Sequence, residues 1–170
     1  QQDDPVIWRG PLKNSIIKQF VEDVAWEDLD YLIVDCPPGT GDEPLSVCQL
    51  INDVAAAVIV TTPQELALSD VRKSINFCEK LSMPVIGVIE NMSGFVCPHC
   101  GESTDIFKSG GGEKMSKEMN VPYLGALPIN MKTMETGDSG NLESLLDQEE
   151  GPWEGAFEKI MSKINGSNIR

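Results

Sequence analysis

The chain has 170 residues, 41% hydrophobic and 24% charged, the size and balance of one soluble globular domain with room for a real core. A formal net charge of −14 argues against non-specific binding to nucleic acid or anionic membrane, both of which need Lys/Arg patches. No stretch approaches the roughly 18 apolar residues of a membrane span, and no basic segment followed by an apolar run marks a signal peptide.

Taken in chain order, residues 1–11 hold Trp8, Arg9, Gly10 and Pro11, a loop signal. Ile16, Ile17, Phe20, Val21 and Val24 recur at three- and four-residue spacing, predicting an amphipathic helix over 14–24 with Asn14 or Ser15 as its cap. The continuous apolar run at 31–35 predicts a strand buried on both faces and ending on Asp35. Loop chemistry at 37–41 leads into a helix over 43–51. A second buried strand is expected over 56–61, a long helix over 66–81 and a third strand over 84–90. The stretch 91–112, rich in Gly, Ser and Cys, reads as irregular. A helix over 113–119, a short strand over 123–126, one helical turn over 132–136 and a terminal amphipathic helix over 153–165 complete the pattern.

Strand alternating with helix predicts an α/β fold, a mostly parallel sheet flanked by helices. Residues 1–170 are expected to form a single domain. Ligands in such sheets sit at the carboxyl ends of the strands. Asp35, Thr61 to Pro63, Asn91 and Pro128 are each expected to follow a strand.

Four segments carry chemistry. Asp35-Cys-Pro-Pro-Gly-Thr-Gly-Asp42 places a carboxylate after an apolar strand, where it needs a cation or good donors. In P-loop NTPases such a residue holds Mg²⁺, and the following loop senses the γ-phosphate. The alternative is a tight turn whose Asp caps the next helix. Cys97-Pro-His-Cys100 offers two thiolates at a spacing shared by zinc and iron–sulfur sites. One pair supplies only two ligands, so either a second subunit supplies the rest or the pair is structural. His99, the single histidine, is either a further ligand or a loop residue. Cys36, Cys48 and Cys78 lie in apolar segments and read as small buried hydrophobes, and no secreted disulfide framework is visible, which fits a cytoplasmic setting.

Ser109-Gly-Gly-Gly-Glu-Lys-Met-Ser116 superficially suggests a phosphate loop, but Glu113 separates Gly112 from Lys114. It reads instead as the Gly-rich start of a helix. Asn91, at a strand end, has a side-chain amide suited to a purine edge, or forms a turn.

Together, Trp8-Arg-Gly-Pro11, the 29–42 segment, Thr61-Thr-Pro-Gln-Glu65, Val88-Ile-Glu-Asn-Met92, the Cys97/Cys100 pair, Gly110-Gly-Gly112 and Leu124-Gly-Ala-Leu-Pro128 resemble, in order, the Mrp family of ATP-binding iron–sulfur carriers, within the MinD/ArsA-like P-loop NTPases. The resemblance covers residues 6–165 and implies a dimer, a homodimer or a pairing with a homologous subunit, that sandwiches two ATP molecules and bridges a [4Fe–4S] cluster destined for apo iron–sulfur proteins. It implies that Asp35 is the Mg²⁺-linked carboxylate and that Gly39 lies near the γ-phosphate. It further implies that Asn91 reads adenine, that Pro128 lines the base pocket and that Cys97 and Cys100 are cluster ligands. The family's first strand and phosphate loop have no counterpart in these 170 residues, so ATP hydrolysis is expected of the intact protein. Two other readings are a MinD-like regulatory or partitioning ATPase, disfavoured by a terminal helix that is not strongly basic, and a zinc-stabilised interaction module.

Overall fold

Apolar β-formers separated by amphipathic helices produce a small parallel sheet, and Thr61, Asn91 and Pro128 lie at or just beyond the carboxyl ends of its strands. The computed structural model describes residues 10–51, 56–141 and 151–167. It comprises two compact units, residues 1–54 and 55–170.

In the first unit, α1 spans Gly10–Glu22 and α2 spans Asp42–Leu50. Helix α1 begins at Gly10 rather than near Asn14, because Pro11 fits the first turn, where its missing N–H costs nothing. The rest of the loop expected over 1–11 lies outside the described residues. Asp42 and Glu43 sit in the first turn of α2, where the helix dipole favours anions. Glu43 pairs with Lys13 of α1, and this hydrogen bond holds the Glu43 carboxyl below its ordinary range.

The strand expected over 31–35 does not form. These residues carry no strand pairing, and Tyr31 and Ile33 are 67% and 88% exposed. A parallel strand is stable only when neighbours on its flanks take up its N–H and C=O groups, and no described segment does so here. Apolarity shows that a segment can be buried; pairing decides whether it is. Asp35 therefore does not follow a strand. Cys36, expected to be buried, is exposed beside it.

The second unit holds β1 (Ala57–Thr61), α3 (Glu65–Lys80), β2 (Val85–Glu90), a two-stranded ribbon of β3 (Phe95–Val96) and β4 (Ser103–Thr104), α4 (Gly111–Glu118), β5 (Tyr123–Ala126), α5 (Met131–Ser139) and α6 (Pro152–Gly166). Strands β1, β2 and β5 lie in that order, all parallel. Ile59, Leu68, Ile75, Cys78, Val88 and Met115 pack into one core between the sheet and α3 and α4. Alternation along β1 turns Ile59 and Thr61 inward and leaves Val58 and Val60 exposed, so this strand is buried on one face rather than two. Buried Ile160 of α6 packs on β5, and Lys163 donates to the carbonyls of Tyr123 and Leu124. That lysine satisfies part of an edge strand's open backbone.

Helix α5 is longer than the single turn expected. The Asn130 side chain accepts from the Lys132 amide at 2.8 Å and caps it, and Gly140 ends it in a left-handed conformation. The parallel sheet with flanking helices agrees with the expected fold class. Among the described residues no helix is long and apolar enough to cross a membrane.

Candidate functional site

Three strand exits stand side by side in the second unit. The Asn91 amide donates to the Thr61 carbonyl at 2.7 Å, and the Leu127 amide donates to the Glu90 carbonyl at 2.8 Å. Beyond these ends the chain remains laced: Ser93 N–H donates to Leu127 O at 2.9 Å, and Ile129 N–H donates to Gly94 O at 2.8 Å. Asn91 and Pro128, singled out separately in the sequence, thus lie on adjacent, hydrogen-bonded segments. The Asn91 side-chain oxygen accepts from the next amide, Met92 N–H, at 2.9 Å, and Met92 has a positive φ of 56°.

From this laced edge rises the segment bearing the two cysteines. Residues expected to be irregular form a narrow antiparallel ribbon, pairing Phe95 with Thr104 and Val96 with Ser103. Cys97 N–H donates to Glu102 O and Gly101 N–H donates to Cys97 O, each at 2.9 Å, closing a tight turn over Pro98 and His99. Phe95 also bridges Ile129, tying the ribbon to the β5 exit. Cys97 is half-buried and Cys100 exposed. The Cys100 amide, then the His99 amide and the Cys100 thiol, hydrogen-bond the Cys97 sulfur and hold its thiol below the ordinary value. Successive N–H groups aimed at one sulfur are the arrangement that favours a thiolate, the form that ligates metals.

Sequence reasoning missed Glu90. The last residue of β2 is 0% exposed, yet its carboxylate is well provided with donors. Ser93 Oγ–H donates to Oε1 at 2.5 Å, Gly110 N–H to Oε1 at 2.8 Å and Gly112 N–H to Oε2 at 2.5 Å. The glycine-rich segment does open a helix, as expected, and its leading amides face a carboxylate of this same chain. Burial, with Glu90 and Glu113 adding, pushes the Tyr123 phenol well above its ordinary range. The visible signal was a Glu ending an apolar strand, combined with three consecutive glycines.

Asp35 and Gly39 belong to the first unit. Gly39 has φ +94° and nothing crowding the place a side chain would take, so the loop is open at this point. Cys36 is exposed as a residue, but its sulfur is partly desolvated, which raises the thiol, and the charges of Asp35 and then Glu43 raise it further.

A family model described as ParA, NUBPL iron-transfer P-loop NTPase, matches residues 1–165. The chain belongs to this family. Among relatives of the NUBPL-type chain, an iron–sulfur cluster carrier protein of Methanocaldococcus jannaschii is 51% identical over 160 residues, covering 94% of this chain and 54% of the relative. The cytosolic Fe-S cluster assembly factor CFD1 of Kluyveromyces lactis is 50% identical over 171 residues, covering 97% and 60%. The chain therefore spans little more than half the length of the curated relatives it matches. A nucleotide-binding protein from Archaeoglobus fulgidus, solved in complex with ADP, superposes with TM-score 0.71 at 39% identity, over 84% of this chain and 56% of that one. The cell-division ATPase MinD of Pyrococcus furiosus has TM-score 0.62 at 21% identity, over 95% and 62%, a likeness of fold.

For this iron-transfer NTPase family chain, the donor set at the ribbon tip can be judged directly. Among the described residues no group of three or more His, Cys, Asp or Glu side chains is placed to hold a metal. His99 therefore does not complete a site with the two cysteines. Two thiols on one tight turn are half of the four-thiolate set that zinc or a [4Fe–4S] cluster takes.

Proposed function

We propose that the intact protein is an ATP-binding iron–sulfur cluster carrier in which Cys97 and Cys100 of two identical subunits hold a [4Fe–4S] cluster and release it to apo iron–sulfur proteins. The observation that carries this reading is the ribbon tip: two thiols, one biased toward thiolate, on a turn that supplies two ligands and no third. A two-fold axis beside such a tip completes a four-thiolate site. The cluster is cargo here. The tip is accordingly exposed at Cys100, where a recipient's thiol can reach it. The names of relatives at about 50% identity point the same way.

Nucleotide fits the same reading. The ADP-bound relative supports ATP or ADP as ligand of the intact protein. We assign Asn91 to the adenine edge and Pro128 to the wall of the base pocket, since they stand at neighbouring strand exits. Asp35 is assigned to Mg²⁺, directly or through water, and Gly39 to the approach of backbone N–H groups to the γ-phosphate. Magnesium would neutralise phosphate charge at that carboxylate. On this reading both units belong to one P-loop NTPase domain, hydrolysis belongs to the intact protein, and the protein works in the cytoplasm.

Anaerobic reconstitution with iron and sulfide tests the proposal. About four irons per two chains are expected, with visible absorbance and a shift to dimer on gel filtration. The signal should vanish in Cys97→Ser/Cys100→Ser. A cluster that survives loss of both thiols sinks the assignment, and zinc at about half an equivalent or more per chain in its place favours a structural module.

A further inference from the structure

Residues 91–109 leave the sheet at the end of β2, carry the two cysteines outward and return at the start of α4. Both ends of this excursion meet one side chain. At the outgoing end, Ser93 Oγ–H donates to Glu90 Oε1. At the returning end, Gly110 N–H donates to the same oxygen and Gly112 N–H to the other. The carboxylate is fully buried, and it lies against the N-terminus of α4, whose dipole favours an anion there.

The three glycines fit this arrangement sterically. Gly110 has φ +78°, a conformation that L side chains rarely adopt. A Cβ at Gly111 would stand 2.4 Å from Pro63 O, and one at Gly112 would stand 3.0 Å from Glu90 Oε2 and 3.2 Å from Thr61 Cγ2. Only glycine at these positions lets α4 start hard against the strand ends with two amides on one carboxylate. The segment that superficially suggests a phosphate loop is thereby committed to an internal anion.

We propose that Glu90 is a positioning residue for the two thiols, its carboxylate clamping both ends of the 91–109 excursion and so fixing where the Cys97–Cys100 turn stands on the β2–β5 edge. The link to ligation rests on the reading of Cys97 and Cys100 as ligands; the clamp itself does not. A carboxylate with three donors and no solvent leaves the base of the ribbon little freedom, and a rigid base reduces the entropy cost of presenting two thiols in one geometry. Glu90 does not touch the cargo. It acts through Ser93, Gly110 and Gly112.

The test uses the 170-residue chain with two readouts. Amide exchange is followed by NMR at Cys97 and Gly101 in the turn, at Gly112, and at Ile75 in α3 as an internal reference. Cd²⁺ affinity is followed by thiolate-to-metal charge-transfer absorbance. Glu90→Gln keeps the volume but gives one glycine amide or Ser93 a donor to face; exchange at Cys97 and Gly101 should rise about tenfold relative to Ile75. Cd²⁺ affinity should fall about tenfold, the lower end of what outer-shell partners of metal ligands contribute. Ser93→Ala removes only the outgoing anchor, so it should loosen the turn while Gly112 exchanges as before. A merely structural loss would speed Ile75 together with the turn and leave their ratio unchanged. Turn-to-Ile75 ratios equal to wild type in both variants overturn the proposal, and Ser93→Ala decides alone if Glu90→Gln does not fold. Should Cd²⁺ bind wild type no better than Cys97→Ser/Cys100→Ser, the ligand reading falls, while the clamp is still judged by the exchange ratio.

Discussion

The Ser93 amide donates to the Leu127 carbonyl at 2.9 Å, so the segment leaving β2 toward the cysteines is hydrogen-bonded to the segment leaving β5 toward Pro128. At the next link of this lace Ile129 N–H donates to Gly94 O, and Gly94 has φ +80°. A proposed base pocket and a proposed cluster tip therefore share one backbone ladder.

Gly94→Ala tests how firmly that ladder holds. An L side chain in the left-handed region costs roughly 1–2 kcal/mol. Nothing beside the new methyl group offsets that cost, since Asp105 Oδ1 stands at an ordinary 3.4 Å from its Cβ. Urea unfolding should show about that loss, and the Ile129 amide should exchange faster. An unchanged midpoint would mean that the turn relaxes without strain.

Cys97 should titrate below a free cysteine. Hydrogen bonds from the Cys100 and His99 amides favour the thiolate, so the proton leaves at lower pH. Alkylation by iodoacetamide, read site by site by mass spectrometry, should give a midpoint for Cys97 below the roughly 8.5 of a free thiol. Cys100→Ser removes the sulfhydryl donor but keeps the amide, so the midpoint should stay depressed. A midpoint at or above the free value would contradict the geometry of the turn.

Strands β1, β2 and β5 and helix α3 are legible in the sequence because side-chain period and pairing agree there. The run 31–35 misleads for a physical reason: Tyr31 to Val34 have the composition of a buried strand, but composition carries no information about whether a neighbour is present. The ribbon at 95–104 is illegible for the opposite reason, since two-residue strands have no period to detect. At the candidate site, Asn91, Pro128, Cys97 and Cys100 stand out by residue type and spacing. Glu90 does not, because its burial is made tolerable by amides 20 and 22 residues downstream.

The core and the bare face of β1 should respond differently to substitution. Leu68 is almost fully buried among Ile59, Ile75 and Met115, so Leu68→Ala should cost about 2–5 kcal/mol in denaturant unfolding. Val60 lies two residues from the exposed Val58 on the other face, and Val60→Thr should change stability by no more than about 0.5 kcal/mol. A comparable loss for both would show that the Val58/Val60 face is covered in solution, and sedimentation would then tell whether a second copy covers it.

Asp35 can be probed through its neighbour. Partial desolvation of the sulfur is the largest cause raising the thiol of the otherwise exposed Cys36, and the Asp35 charge is the next, because an adjacent anion disfavours a second one. Asp35→Asn removes that charge and leaves the desolvation, so the Cys36 midpoint should fall without reaching that of a free thiol. At a fixed pH of about 8, where the free thiol is partly ionised, Cys36 in the variant should therefore alkylate faster than in wild type. A cation seated on Asp35, as the proposed role requires, cancels the charge that Asn deletes. Magnesium added to wild type should then shift Cys36 toward the variant's behaviour and leave the variant itself unmoved. If magnesium shifts both equally, it acts by screening the acidic surface, and the assignment of Asp35 as its ligand in this chain fails.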